Sequence, residues 1–598
     1  MLESGIMRKQ VRIYGLGAVV GVVSGLVAVG FRWLILGTSS LSVVVPQLLG
    51  VWGWLIVPAV GGLVVGFIVQ NYVPEAKGHG VPEIVEAYSF RGGRMRMRVP
   101  LLKSLASAMT IGSGGSCGRE GPIAQIGGGI GSAIASSLKL DKRMTKTLVV
   151  CGVASGIAAT FNAPLGGTLF GIEVIAGGIV GFSIIPVILS SVVATALAGW
   201  ILGTQPSFQA PILLLNNYFE LILYLLLGLL LGIASVLWTR GFYAVEDLFE
   251  RLKTPRHILP VIGGLMVGAL AVAVLLMEDS FSYAGLFDGD PYFPAIMGVG
   301  YAFVDAALIG SVSVAALVVF GLLKALATSF TLGSGGSGGV FAPTLFIGTA
   351  LGGAFGVTFS TLLPEVVPQP VGFALVGMAA LFAGTGRAPI TCIVIIMEMT
   401  ADYSMILPLM IAVSTSFLIA SSIEEESIYT LKLSRRGVRL RRGFYIGALK
   451  EAKVAHVMTE TPTVLSPDMA RDQVLQIVDE TQHTKFPVVS AEGLIVGTLI
   501  TEDLFCDRDD DCEPLVRDVM STDFLRISPH SSMDSVLHTM LERNEGHAVV
   551  VDPRIPNVMV GFITKADVLK AYELAILRLR EEGETVEPID PLDVIDMP

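Results

Sequence analysis

The chain has 598 residues, of which 52% are hydrophobic and 15% are charged, and its mean hydropathy is +0.70. A soluble fold cannot bury so large an apolar share, because soluble chains carry roughly 25% charged residues. The composition therefore predicts an integral membrane protein. The net charge of -11 excludes a nucleic-acid binder, which needs a basic face to neutralise phosphates.

Two regions of different character follow one another along the chain. Apolar stretches with few charges recur from about Val11 to about Ser422, and charges, prolines and short alternating apolar runs prevail afterwards. This pattern predicts a multi-pass membrane domain over residues 1–430, a linker over 431–453 and a soluble region behind it. The first apolar segment lacks a small-residue cleavage site, so we expect a membrane helix rather than a signal peptide.

Basic residues cluster locally in spite of the acidic balance. Cytoplasmic loops tend to carry Lys and Arg, so the cluster next to the linker predicts an inner or plasma membrane protein with a cytoplasmic C-terminal region. The three clusters are Arg91, Arg94, Arg96 and Arg98; Lys142, Arg143 and Lys146; and Arg435, Arg436, Arg439, Arg441 and Arg442.

The cysteines predict neither a disulfide framework nor a metal centre. Their number is odd and their spacing matches no ligand motif, so we expect packing residues. The five are Cys117, Cys151, Cys392, Cys506 and Cys512. The acidic run between the last two could hold a cation, but we favour a solvated loop, and we expect no required cofactor.

The membrane region contains an internal repeat. Lys103–Ser116 reappears as Lys324–Ser337, an offset of 221 residues, and a second block returns at an offset of 225. The second block pairs Gly152, Ala163, Pro164 and Glu173 with Gly377, Ala388, Pro389 and Glu398. Two related halves, about 11–202 and 217–422, therefore follow from a duplication. We expect them to be inverted, as is common where a site lies at mid-membrane.

Both copies of the first block predict a helix broken inside the membrane. Each places Gly-Ser-Gly-Gly-Ser-x-Gly in apolar sequence and ends in a Pro, and irregular backbone at that depth must be buried or line a cavity. The free amides at the start of the resumed helix would hold an anion. The alternative is that small residues merely allow close helix packing. The intramembrane carboxylate of Glu120, which the repeat matches to Phe341, favours a functional site.

These residues resemble the CLC family of chloride channels and proton/chloride exchangers, over essentially the whole chain. The matching motifs are Gly118-Arg119-Glu120-Gly121-Pro122, Gly338-Gly339-Val340-Phe341-Ala342-Pro343, Phe161-Asn162-Ala163-Pro164-Leu165 and Gly78-His79-Gly80-Val81-Pro82. The resemblance implies an all-α polytopic membrane domain of two antiparallel repeats, a homodimer with one pore per subunit, and chloride as the transported ion.

The resemblance also implies roles for particular residues. The amides of Val340 and Phe341 would hold a central halide, the Tyr429 hydroxyl would close its cytoplasmic side, and Glu120 would be the gate. The full set expected at the anion site is His79, Gly118, Arg119, Glu120, Gly121, Gly339, Val340, Phe341, Ala342 and Tyr429.

Two positions depart from the family pattern. His79 stands where chloride members usually have Ser, so that an imidazole replaces a hydroxyl and halide selectivity is open; the alternative is a histidine that caps a helix end. Val174 stands where exchangers carry a second glutamate that delivers protons. Its neighbour Glu173 repeats as Glu398, which suggests a shared structural task such as capping a buried helix end.

The soluble region repeats as well. Val457-Met458-Thr459, Phe486–Val489 and Gly497–Asp503 are echoed by Val519-Met520-Ser521, His547–Val551 and Gly561–Asp567. This pattern resembles an α/β tandem pair of cystathionine β-synthase (CBS) domains, at 454–510 and 515–575, before an acidic tail at 576–598. Thr501 with Asp503 and Thr564 with Asp567 would contact the phosphate and ribose of ATP, ADP or AMP, or else serve as helix caps.

Three function classes remain. We favour a chloride channel gated by Glu120 over a proton/chloride exchanger, because a valine at position 174 cannot carry a proton. A membrane nucleotide sensor without transport would need neither Glu120 nor paired broken helices. We expect no enzyme, since the Gly-rich stretches lack the Lys of a phosphate loop and no nucleophile or metal cluster is evident.

Overall fold

A computed structural model describes residues 2–178, 184–208, 215, 217–276, 287–288, 293–436, 449, 452–504, 514–543 and 545–581. Within these, only the backbone is described at residues 2–10, 287–288, 556, 572 and 575–581. The chain divides into two compact units, 1–440 and 441–598. Some predicted features lie outside the described residues, namely Arg439, Arg441, Arg442, Cys506, Cys512 with the acidic run between them, and the tail from 582 onward.

Within the residues that the structure describes, the first unit contains two series of eight helices followed by one short helix. The first series is α1 Leu2–Leu49, α2 Gly53–Asn71, α3 Val81–Phe90, α4 Val99–Gly112, α5 Glu120–Ser137, α6 Lys142–Phe161, α7 Pro164–Phe170 and α8 Ile184–Leu202. The second is α9 Glu220–Arg251, α10 Leu259–Leu276, α11 Tyr301–Leu308, α12 Val314–Gly333, α13 Phe341–Leu362, α14 Val371–Gly386, α15 Pro389–Thr400 and α16 Ile406–Ile423, before α17 Leu431–Arg435. Two strands, β1 Phe287–Asp288 and β2 Phe293–Pro294, pair antiparallel.

Eight helical segments among the described residues are long and apolar enough to cross a membrane. The prediction of a multi-pass membrane domain is therefore confirmed. The Gly-rich stretches interrupt the helices at equivalent places, because Gly114 and Gly335 adopt φ of +88° and +113°, where a side chain would be strained. α4 and α12 end just before these glycines, and α5 and α13 resume just after them.

The two halves are related by a local twofold axis. The Gly118 amide donates to the Gly339 carbonyl at 2.8 Å, and the Gly339 amide donates back to Gly118 at 2.6 Å. Likewise, the Ser116 amide donates to Thr331 Oγ1 at 2.9 Å, and the equivalent Ser337 amide donates to Thr110 Oγ1 at 3.2 Å. Reciprocal bonds between repeat-equivalent residues are what a twofold axis produces, in agreement with the predicted duplication.

Two buried lysines organise the loops before α3 and α11 in the same symmetric way. Lys103 Nζ donates to the Gly78 carbonyl at 2.8 Å, and its repeat partner Lys324 donates to the Gly298 carbonyl at 2.9 Å. Both side chains are 0% exposed. A buried ammonium needs such acceptors, because an unpaired one costs several kcal/mol. The lysines therefore hold in place the two loops that lead into α3 and α11.

Glu173 and Glu398 exchange helix caps. The Glu173 carboxylate accepts from the Thr391 amide at 2.8 Å and from its hydroxyl at 2.6 Å, at the start of α15. The Glu398 carboxylate accepts from the amides of Leu165 and Gly166 at 3.0 and 2.6 Å, at the start of α7. A carboxylate is favourable at the positive end of a helix dipole. The expected capping role of this pair is thus confirmed.

We predict that Glu398→Ala lowers the free energy of unfolding by about 2 kcal/mol, because the first amides of α7 lose a charged acceptor. The apparent unfolding midpoint of the detergent-purified protein should fall by several degrees. Glu365→Ala, which removes an exposed carboxylate, is the matched control and should leave the midpoint unchanged. Equal midpoints for the two variants would contradict the prediction.

The second unit contains two α/β modules. Its helices are α18 Arg471–Thr481, α19 Val516–Val519, α20 Met533–Glu542 and α21 Lys565–Glu581, and its strands are β3 Lys485–Val489, β4 Ile495–Ile500, β5 Arg526–Ile527, β6 His547–Asp552 and β7 Ile555–Thr564. β3 pairs antiparallel with β4; β6 pairs parallel with β5 and antiparallel with β7. The alternation of strands and helices agrees with the predicted α/β pair.

The two modules exchange their leading segments. Thr459, before the first module, exchanges both backbone hydrogen bonds with Phe562 of β7, each at 3.0 Å. Ser521, before the second module, does the same with Thr498 of β4, at 3.0 and 2.9 Å. Each module therefore completes the sheet of the other.

Candidate functional site

The starts of α3, α5, α11 and α13 meet at the centre of the membrane unit. Gly80 and Gly300 precede α3 and α11 with φ of +81° and +85°. A Cβ added at Gly121 would collide with the His79 carbonyl oxygen and lie 3.0 Å from Gly339 Cα. Only glycine allows this backbone contact, so the Gly-rich motifs bring the helix starts together.

Helix α13 presents unpaired amides at this meeting point. Thr344 N donates to the Val340 carbonyl, which is the first bond of the helix. The preceding amides have no partner within the helix and lie at the positive end of its dipole. Val340 and Phe341 are 1% and 2% exposed, so these amides are shielded from bulk water. This geometry suits a partly dehydrated anion.

The Glu120 carboxylate lies against these helix starts. It is 1% exposed, its Oε1 accepts from the Tyr301 hydroxyl at 2.7 Å, and its Oε2 is buried without a hydrogen-bond partner among the described residues. Oε2 lies over Gly118, where an added Cβ would collide with it. Glu120 therefore places its own negative charge at the start of α13. The Arg119 guanidinium is 5.6 Å from the centre of the Tyr301 ring.

Aromatic rings enclose the site on the side of α17. The Phe341 ring packs on Phe161 and Phe382 at 5.2 and 4.4 Å between centroids. Phe170 lies 6.5 Å from both Phe341 and Tyr429. Tyr429 is 2% exposed and lies within electrostatic range of Glu120. The structure therefore brings the predicted residues Glu120, Phe341 and Tyr429 into one buried region.

His79 belongs to the same region and has a defined tautomer. Its Nε2 lies 3.3 Å from the Tyr243 hydroxyl, which donates its own proton to the Ile428 carbonyl at 2.6 Å. Nε2 must therefore carry the imidazole proton and donate to the phenol oxygen. Nδ1 is left as a bare acceptor, and it is buried with no partner among the described residues. The ring lies 5.8 Å from Tyr429.

Sequence reasoning missed Tyr301, the residue that binds the Glu120 carboxylate. The available signal was a third repeat block, in which Gly78-His79-Gly80-Val81 matches Gly298-Val299-Gly300-Tyr301. The structure shows this match directly: Gly338 N donates to Gly78 O at 3.3 Å, and Cys117 N donates to Gly298 O at 3.1 Å. Tyr301 begins α11, as Val81 begins α3.

Val174 offers no proton-carrying group. It lies half-buried in a π-helical turn, Gly171–Ile175, and packs against the apolar core of the unit. The carboxylate of Glu173, the neighbouring residue, accepts a hydrogen bond from the start of α15. Neither side chain at this point of the chain is therefore a free carboxylate.

In the second unit, the two nucleotide-binding candidates differ. Asp567 Oδ2 accepts from the Thr564 amide at 2.8 Å and from its hydroxyl at 2.9 Å, so this pair caps α21. Thr501 and Asp503 are two residues apart, compared with three for Thr564 and Asp567, and they lie in a 3-10 turn, Thr501–Leu504. There Thr501 is buried, while Asp503 is exposed. The capping alternative is therefore realised in the second module, where the other Asp567 oxygen makes no bond to Thr564.

Comparisons with known proteins agree with this architecture. The family model described as "Voltage gated chloride channel" matches residues 61–421, and the CBS domain model matches 454–506 and 516–574. The chain belongs to the CLC family. It is therefore a member of a family of anion transporters and channels, built as a multi-pass membrane domain followed by tandem CBS domains.

Two relatives and one solved structure illustrate the range of this CLC family. The H(+)/Cl(-) exchange transporter ClcA of Vibrio vulnificus is 34% identical over 70% of this chain and 89% of its own length. The chloride channel protein CLC-f of Arabidopsis thaliana is 27% identical over 92% and 68%. A slow cyanobacterial Cl-/H+ antiporter is 26% identical and covers 71% of this chain and 98% of its own, with a TM-score of 0.63.

We predict that Tyr301→Phe raises chloride flux at neutral pH by about tenfold or more. The Glu120 carboxylate loses one hydrogen bond, and bonds to charged acceptors contribute roughly 1.5–3 kcal/mol. The rise in flux on acidification should become smaller, because the unprotonated carboxylate is already held less firmly. Flux into liposomes at pH 7.5 and 5 measures both effects. Tyr403→Phe, which changes an exposed tyrosine, is the control; unchanged flux in Tyr301→Phe would contradict the prediction.

Proposed function

We propose that this CLC protein is a proton/chloride exchanger in which Glu120 both blocks the anion pathway and carries the proton. The observation that supports this proposal is the position of the Glu120 carboxylate beside the start of α13, where Oε2 and the Ala342 amide nitrogen lie around the same point above Gly118. A carboxylate beside helix-start amides occupies the place where a halide would bind. The exchange activity named for the Vibrio relative and for the cyanobacterial structure favours exchange over the channel interpretation.

The mechanism follows from competition for one site. An ionised Glu120 and a chloride cannot both be held by the same amides, because like charges repel at that distance. Protonation removes the charge of Glu120 and weakens its bond to Tyr301 and its attraction to the start of α13. The neutral side chain then leaves, and an anion takes its place. When the anion moves on, the acid returns and releases its proton, so that the two ions travel in opposite directions.

A channel remains the second candidate, because position 174 is a valine. Without a carboxylate there, a proton needs another route between Glu120 and the inner side of the protein. A chloride channel activity is named for the Arabidopsis relative, which matches nearly the whole chain. In a channel, Glu120 would still block the pathway, but its protonation would not be tied to each turnover.

The remaining expectations belong to the same proposal. The anion site is assigned to the ten residues named from the family motifs, now with Tyr301 added. We place Tyr429 and α17 on the cytoplasmic side because of the basic residues Arg435 and Arg436, and the CBS pair in the cytoplasm of a cell membrane. We further propose that the protein is a homodimer. The proposed domain boundaries are 1–430 for the membrane domain, 454–510 and 515–575 for the two CBS domains, with a linker at 431–453 and a tail at 576–598.

Purified protein in liposomes with an outward chloride gradient separates the candidates. We expect chloride efflux to drive proton uptake against a proton gradient, and Glu120→Gln to abolish proton movement while chloride still passes. Glu365→Gln, at an exposed position, should keep both fluxes. Chloride efflux without proton uptake in the wild-type protein would establish the channel.

We also propose that the CBS pair binds an adenine nucleotide at Thr564 and Asp567, where one carboxylate oxygen remains for a ribose hydroxyl. Calorimetry of the full chain in detergent with AMP, ADP and ATP should give heat for at least one of them, and Asp567→Asn should weaken that binding at least about tenfold through loss of a charge-assisted bond. Asp534→Asn, in the first turn of α20, is the matched control. No heat with any nucleotide would leave Asp567 a helix cap only.

A further inference from the structure

Nδ1 of His79 is a buried hydrogen-bond acceptor whose partner has not been accounted for. His79 is 1% exposed, and its Nδ1 has no hydrogen-bond partner among the described residues. A buried acceptor without a partner is costly and calls for a bound proton, water or ion beside it. Because the contact with Tyr243 keeps the proton on Nε2, Nδ1 is the nitrogen that needs a hydrogen-bond donor.

We infer that His79 relays protons on the inner side of the anion pathway, in place of the carboxylate that position 174 lacks. Nδ1 takes a proton from water to form an imidazolium, then releases it to water in the pathway towards Glu120 and returns to the neutral Nε2–H form. No other bond changes. This inference rests on the proposed exchange function.

The position of His79 fits such a relay. Its carbonyl oxygen contacts Gly121, the residue that follows Glu120 on α5, and its ring lies 5.8 Å from Tyr429. Tyr429 is in turn within electrostatic range of Glu120. The His79 backbone therefore lies beside the start of α5, and its imidazole lies beside Tyr429.

A cavity of about 260 Å³ reaches Gln125, whose side chain lies beside Gly80. It is lined by Glu75, Glu83 and Gln125, and by arginines of the loop between α3 and α4. The volume accommodates several waters, each of which takes about 30 Å³ of the liquid. Gln125 Oε1 is buried without a partner and would lie 2.6 Å from a Cβ at Gly80, the neighbour of His79. Water can therefore approach the residue next to the imidazole.

The charges around His79 link its protonation to anion occupancy. Cationic side chains surround it, and they oppose a further positive charge. A chloride beside the ring offsets this repulsion, so the imidazolium is favoured when the pathway holds an anion. The titratable and charged groups that face His79 are Lys103 on α4, Tyr243 on α9, and Tyr429, Lys432 and Arg436 around α17.

The test compares proton and chloride fluxes in liposomes. We expect His79→Ser to lower the number of protons moved per chloride at least tenfold, a ratio that does not depend on how far the chloride flux itself changes. Val174→Glu added to His79→Ser should restore coupling, which a purely structural role of His79 does not explain. His257→Ser, at an exposed histidine, is the control.

Each outcome bears on the inference. A wild-type proton-to-chloride ratio in His79→Ser overturns the relay but leaves the exchanger intact. A wild-type protein that moves chloride without protons overturns the exchanger and the relay together. If His79→Ser does not transport, His79→Asn preserves an amide of similar size that cannot carry a proton. Coupled flux in that variant likewise overturns the relay, and uncoupled flux supports it.

Discussion

The membrane unit depends on one constraint: a helix broken inside lipid must find partners for the backbone groups that the break exposes. Here each half supplies the partners that the other half lacks. Gly118 and Gly339 bond to each other, and the side-chain hydroxyls of Thr110 and Thr331 bind the amides of the opposite Gly-rich stretch. Buried lysines bind the carbonyls before α3 and α11. The breaks are thereby stable without water.

In this arrangement the amides at the start of α13 have no backbone partner within their helix. These amides lie in a buried region and carry only partial positive charges. Partial charges attract an anion less strongly than an ammonium would, so that the ion can also leave. A single carboxylate can compete for such a site. In the proposed mechanism, the same weakness permits control by protonation of Glu120.

Much of this could be predicted from the sequence, because the repeat reports directly on symmetry. Residues that the twofold axis relates have the same role in both halves, as Lys103 and Lys324 or Glu173 and Glu398 show. The block around Gly78 and Gly298 was harder to find, since only its two glycines are shared and its other positions face different surroundings. Tyr301 was therefore not predicted from the sequence, although its hydroxyl donates to the Glu120 carboxylate.

The choice between channel and exchanger could not be made from position 174 alone. That argument assumed that one position carries the proton, whereas the geometry shows a second titratable side chain, His79, whose tautomer depends on a contact with Tyr243 from a distant helix. Similarly, the sequence could not decide between capping and nucleotide binding at Thr564. One Asp567 oxygen satisfies the cap, and the second is not needed for it.

The exchange of caps between Glu173 and Glu398 has a consequence for biosynthesis. When α7 emerges from the ribosome, the carboxylate that will cover its first amides lies more than 200 residues downstream. At about 5–20 residues per second, α7 waits for at least 10 s with an uncovered positive end in or near the bilayer. The first half therefore cannot reach its final packing during its own insertion. The nascent chain must keep α7 in a shallow or protein-shielded position until the second half arrives.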